Sequence, residues 1–98
     1  LALFIAIWLE RDHVSFISGK PIHTFSVSNF AHVLPRGRFP KMKFERDNIV
    51  LLLPEEHFLL DQGTIKQREE YAKKNPTVKW DLITELKEEL LAGYELLL

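Results

Sequence analysis

The sequence has 98 residues, 46% of them hydrophobic and 28% charged, which describes one domain with a single modest core and ordinary globular composition. It holds no cysteine, and so excludes a disulfide framework, a Cys-built zinc site and a thiol nucleophile together. The net charge of −1 hides an asymmetry: residues 1–54 carry seven Lys/Arg against four Asp/Glu, and residues 55–98 carry six against ten.

The chain opens on LALFIAIWL, residues 1–9, which is apolar but too short to span a bilayer and runs directly into Glu10-Arg11-Asp12. Neither a basic leader nor a small-residue cleavage site accompanies it, so no membrane span or signal peptide is read, and a cytoplasmic protein is expected. Residues 3–10 read as a short helix, apolar nearly all round and expected to be buried on more than one side. In HVSFISGKPIHTFSV, β-branched and aromatic residues alternate in part around a turn signal at Ser18-Gly19-Lys20-Pro21, which predicts a hairpin. FAHVLP reads as a short strand closed by Pro35 and Gly37. A basic loop follows, in which Arg36, Arg38, Lys41, Lys43 and Arg46 fall within eleven positions, opposed by Glu45 alone. Such a cluster suits a polyanion, because each neutralised phosphate releases condensed counterions. The plainer alternative is a solvated loop that keeps the protein soluble.

NIVLLL, residues 48–53, has the length and apolarity of a buried strand. Pro54 suits the first turn of a helix, and Glu55 and Glu56 favour the positive end of its dipole. That helix is predicted from about Pro54 to Lys74 and ends at Asn75-Pro76; whether Gly63-Thr64 interrupts it is open at this level. Thr77 is the expected cap of a last helix, about residues 77–98, with Trp80, Leu82, Ile83, Leu86, Leu90 and Leu91 on one face. The apolar first helix and the terminal leucines leave more apolar surface than one small core needs, so a homodimer through the terminal helices is expected.

The histidines then acquire positions. His32 lies on the first strand, Asn48 opens the second, and His57 sits in the first turn of the following helix. Asp61 is four residues beyond His57, one turn along the same face. An imidazole and a carboxylate at that spacing can share one divalent metal ion.

Strand, basic loop, strand and proline-led helix, carrying His, Asn and His at spacings of sixteen and nine, resemble the ββα-metal core of the HNH endonucleases, above all the phage-type members. The resemblance covers about residues 18–65. It implies an α+β fold in which a ββα-metal core is flanked by N-terminal and C-terminal helices, all within a single domain 1–98, and it implies hydrolysis of DNA. By position it makes His32 the general base that activates water and Asn48 the residue that fixes the loop through backbone hydrogen bonds. His57 and Asp61 become the metal ligands. Some relatives carry an acid three residues before the base, where this chain has Asn29, so Asn29 counts as a weaker third ligand; the residue directly before the base is Ala31. Many relatives brace the motif with two Cys pairs around a structural zinc. Here Ser18, Leu53 and Glu56 stand in that neighbourhood, and an apolar core is expected to replace the zinc.

The ion implied is single and divalent, Mg²⁺ or Mn²⁺ from the oxygen ligands, with Zn²⁺ or Ni²⁺ also acceptable to His57. Arg36, Arg38, Lys41 and Lys43 are expected to hold DNA phosphates and to carry little base information. His13 and His23 match nothing in the motif. Two rival readings stand beside the nuclease: a relative that binds nucleic acid without cutting it, and a protein-interaction module that uses the first and last helices.

Overall fold

The structure, a computed structural model, describes residues 1–95. Four helices and a two-stranded antiparallel sheet make an α+β fold: α1 (Ala2–Glu10), β1 (Phe30–His32), β2 (Ile49–Leu51), α2 (Pro54–Gln62), α3 (Ile65–Lys74) and α4 (Asp81–Glu95). Short 3₁₀ turns lie at Val27–Asn29, Pro40–Met42 and Arg46–Asn48. No helix among the described residues is long and apolar enough to cross a membrane.

In the sheet Phe30 pairs with Leu51, Ala31 with Val50 and His32 with Ile49. Side chains alternate along a strand, so Phe30, His32, Ile49 and Leu51 share one face. That face packs on α1, where Ile7 is fully buried and Leu3, Phe4 and Trp8 lie against Phe30, Ile49 and Leu51. On the other face Ala31, Val33, Val50 and Leu52 join Leu60 of α2 and Ile83, Leu86 and Leu90 of α4. The strands therefore divide two small cores. The outer edge of β2 is covered, because the Leu51 carbonyl accepts from Phe16 N–H at 2.7 Å and Arg11 donates to the Ile49 and Arg46 carbonyls. Burial at this place holds the Arg11 pKa below the usual arginine value. The outer edge of β1 carries no strand.

The expected hairpin is reduced to a single antiparallel bridge between Val14 and Pro21, flanked by bonds from Ser15 N–H to the Lys20 carbonyl and from Ile22 N–H to the His13 carbonyl, both at 2.8 Å. The Ser15 hydroxyl accepts from Ile17 and Ser18 N–H at 3.2 and 3.1 Å, and its carbonyl accepts from Gly19 N–H at 2.9 Å. These local bonds keep the pairing from extending. Gly19 supplies the φ of 72° the turn requires, and Pro21 has no N–H with which to extend pairing. Both strands are also shorter than expected, FAHVLP being strand only over Phe30–His32, with Asn48 closing a 3₁₀ turn ahead of Ile49–Leu51.

The helix expected over 54–74 is two helices. A Cβ on Gly63 would stand 2.5 Å from the Leu59 carbonyl oxygen, so the chain turns where only glycine fits. Thr64 then caps α3: its Oγ1 accepts from Gln67 N–H at 3.1 Å, and Gln67 Oε1 accepts from Thr64 N–H at 2.8 Å. Helix α4 begins at Asp81, and Thr77 is not its cap. The Lys79 N–H goes instead to the Ile17 carbonyl at 2.8 Å and the Trp80 indole to the Arg68 carbonyl at 3.1 Å, which tie this segment to other elements before the helix starts. The expected end of that helix, residues 96–98, lies outside the described residues. Helix α1 is buried on one side only: Ile7 is enclosed, whereas Leu1 and Leu9 are 73% and 78% exposed. A helix laid on a two-stranded sheet has nothing above it.

Candidate functional site

His57, in the first turns of α2, has Nδ1 2.8 Å from the Ser28 carbonyl oxygen. A carbonyl can only accept, so Nδ1 carries the proton. In the neutral ring Nε2 is then a bare lone pair, and it faces Asp61 Oδ2 at 3.1 Å. A lone pair set against a carboxylate is relieved by a proton or by a cation between them. Two donors at about 2.0–2.1 Å from a metal, at right angles, stand about 3 Å apart. The pair therefore has the span of two adjacent positions around an octahedral ion. Both side chains reach solvent, His57 at 24% and Asp61 at 52% exposure.

His32 follows the same logic. Its Nε2 lies 2.8 Å from the Lys43 carbonyl oxygen, so Nε2 holds the hydrogen and Nδ1 of the neutral ring is left as the proton acceptor. The loop that presents this carbonyl is fastened by Asn48, which has no exposed surface. Asn48 Oδ1 accepts from Leu34 N–H at 2.6 Å, while Nδ2 donates to the Leu34 and Met42 carbonyls at 3.0 and 3.1 Å. One amide thus holds both arms of the basic loop, one residue from the carbonyl that orients His32.

His32, His57, Asp61 and Arg36 line one cleft of about 720 Å³, together with Phe4 from α1 and Lys87 from α4. The cleft takes residues from β1 and none from β2, so it runs along the free edge of β1. Arg38, Lys41 and Lys43 are outside it, Arg38 and Lys43 carrying their charge beside aromatic rings. The Arg38 guanidinium sits 5.9 Å from the centre of the Phe39 ring, and Lys43 Nζ 4.8 Å from that of Phe44. Arg46 is taken by an ion pair with Glu10. Asn29 is not part of the cleft lining; it is buried, and its Nδ2 donates to the Leu52 carbonyl at 2.9 Å. No group of three or more His, Asp or Glu side chains that could hold a metal occurs among the described residues. His57 and Asp61 offer an imidazole nitrogen, the kind of donor that suits Zn²⁺ or Ni²⁺, and a carboxylate, the kind that suits Mg²⁺ or Mn²⁺. Of the remaining histidines, His13 stacks on Trp8 with ring centres 3.5 Å apart.

The contacts made by three residues in this region have no forewarning in the sequence. Phe4 is one apolar residue in an apolar run, and Lys87 is one cation on an acidic helix, so neither stands out before the chain folds. Glu56 is the third. Its carboxylate, wholly buried, accepts from the Ser15 hydroxyl at 2.6 Å, Leu53 N–H at 2.9 Å and the Tyr71 hydroxyl at 3.2 Å. Burial, and then the charge of Glu56, push the Tyr71 pKa above the ordinary tyrosine value. A second cleft of about 730 Å³ lies between α4 and the loop ahead of β2, lined by Met42, Ile49, Leu86 and Tyr94, and it holds no histidine.

Comparison with family models, with curated proteins and with solved structures finds no match for this chain.

Proposed function

We propose that the protein is a metal-dependent endonuclease of HNH type that hydrolyses DNA phosphodiester bonds. One observation carries the reading: His32, with Nδ1 bare, shares a cleft with a His57–Asp61 pair set 3.1 Å apart. Neutral His32 takes a proton from the attacking water at Nδ1, while the Lys43 carbonyl keeps the ring oriented through Nε2–H. Asn48 holds that carbonyl's loop in place. His57 and Asp61 would hold the divalent ion, which when bound polarises a non-bridging oxygen and stabilises the leaving oxyanion. Arg36 positions a phosphate inside the cleft, and Arg38, Lys41 and Lys43 supply outlying positive charge. A cytoplasmic location is part of the same proposal.

The test is plasmid nicking across Mg²⁺, Mn²⁺, Zn²⁺ and Ni²⁺, with His32→Ala as control. General-base assistance is worth about 10²–10⁴-fold, so His32→Ala should fall below easy detection while still binding metal. Cleavage at the parent rate would remove His32 from the mechanism. Metal and DNA binding without cleavage by the parent would identify a non-cutting relative.

A second reading, self-association, is favoured by α1. Leu1, Ile5 and Leu9 follow one another at one-turn spacing and are 73%, 45% and 78% exposed. Sedimentation equilibrium of the parent and of Leu9→Glu tests it: a monomeric parent at high micromolar concentration rejects the homodimer.

A further inference from the structure

We infer that the strand accepted by this cleft is single-stranded DNA, with Phe4 stacking a base and Arg36 and Lys87 holding phosphates to either side. The inference rests on the nuclease reading but draws on residues outside the histidine motif.

Helix α1 enters the cleft through Phe4 and α4 through Ile83 and Lys87, so the histidines lie in a trough with a helix on each side. One face of the Phe4 ring is stacked on Phe30, with centres 4.4 Å apart and planes 4° from parallel. That contact fixes the ring beside the site, its centre 6.4 Å from that of His32. Val27, 58% exposed, and Pro35 continue an apolar wall along the cleft. A duplex presents sugar and phosphate on the outside and keeps its bases stacked within, so such a wall has nothing to touch on it. A single strand exposes a base face beside every phosphate, and aromatic side chains bind those faces regardless of sequence.

The charges agree. Helix α4 carries Asp81, Glu85, Glu88, Glu89 and Glu95, and Lys87 is its only basic residue. Lys87 forms no ion pair among the described residues, and it is the α4 charge that lines the cleft. The acids beside it oppose a broad polyanion laid across α4. A single strand threaded through the trough meets Lys87 and Arg36 and avoids most of that repulsion.

The experiment uses one end-labelled sequence, as a single strand and as a blunt duplex, cut by the parent, Phe4→Leu and Lys87→Gln. Leucine keeps apolar contact with Phe30 but removes the aromatic face. Binding of both DNAs to His32→Ala is measured alongside, so that affinity is read without cleavage. The parent should cut the single strand at least about tenfold faster than the duplex, and Phe4→Leu should lose about tenfold or more on the single strand with little change on duplex. Lys87→Gln should raise KM for the single strand and flatten its salt dependence. Equal or faster duplex cleavage, or single-strand cleavage by Phe4→Leu at the parent rate, overturns the inference and leaves the nuclease reading standing. No cleavage and no binding of either DNA with any ion overturns both.

Discussion

The Ser15 hydroxyl donates to Glu56 Oε1 at 2.6 Å inside the protein, across 41 positions of sequence. The same carboxylate accepts from the Leu53 backbone at the start of α2 and from Tyr71 in α3. The loop after α1, α2 and α3 are joined at one charged group. Glu56→Ala leaves three donors without their acceptor, each costing about 1–3 kcal/mol, so a loss of at least about 3 kcal/mol is expected in urea unfolding. Glu56→Gln, which keeps an acceptor oxygen, should lose less.

Tyr71 makes stability depend on alkaline pH. An unfolded tyrosine ionises near pH 10, whereas the folded side chain holds its proton to higher pH through burial and the neighbouring Glu56 charge. Below pH 10 this contribution is fully present; above it, the unfolded state releases a proton that the native state keeps, and stability falls with a slope of up to about 1.4 kcal/mol per pH unit. Tyr71→Phe should be less stable at pH 7 for want of the bond to Glu56, and should decline less steeply between pH 10 and 11. Parallel slopes for the two proteins would separate Tyr71 from the alkaline transition.

Gly63→Ala should cost about 1–3 kcal/mol, because the added methyl meets Leu59 backbone rather than a side chain that could turn aside. The same change at Gly37, where nothing lies within 4 Å of the added carbon, should be close to neutral and serves as the control. Thermal melts of the two variants are sufficient to compare them.

Metal affinity should belong to His57 and Asp61 as a pair. Either alanine variant should weaken Mn²⁺ binding by at least about tenfold in calorimetric titration. Asn29→Ala should leave affinity unchanged, since Asn29 is buried outside the cleft that His57 and Asp61 line. A drop equal to that of Asp61→Ala would return Asn29 to the ligand set.

Charge reversal separates the basic residues. Arg36→Glu should weaken DNA binding and cleavage together, because Arg36 lines the cleft. Arg38→Glu should act on affinity alone. For each phosphate that is no longer neutralised, the slope of log affinity against log salt should shrink by roughly 0.9 on duplex and 0.7 on single strands. An unchanged slope for Arg36→Glu would put that side chain outside the binding surface.

What was legible from the chain alone was whatever rests on local geometry. The spacing of His57 and Asp61 is a property of any helix, so their approach to 3.1 Å could be read before folding. The apolar run ahead of Pro54 and the proline itself marked β2 and the start of α2 for the same reason. Whether α2 and α3 are one helix was open at that level, and the Thr64–Gln67 capping box and the close approach of Gly63 to the Leu59 backbone belong to the folded chain. The hairpin shrinks to one bridge and α4 starts later than its sequence suggests because their backbone groups are claimed by partners distant in sequence or by a side chain, as Phe16 by Leu51, Lys79 by Ile17 and Ile17 by the Ser15 hydroxyl. Phe4, Lys87 and Glu56 follow the same rule. Nothing in a neighbouring residue distinguishes them, and their roles arise when α1, α2, α3 and α4 close around the strands, where burial and proximity, unlike periodicity, depend on the whole chain at once.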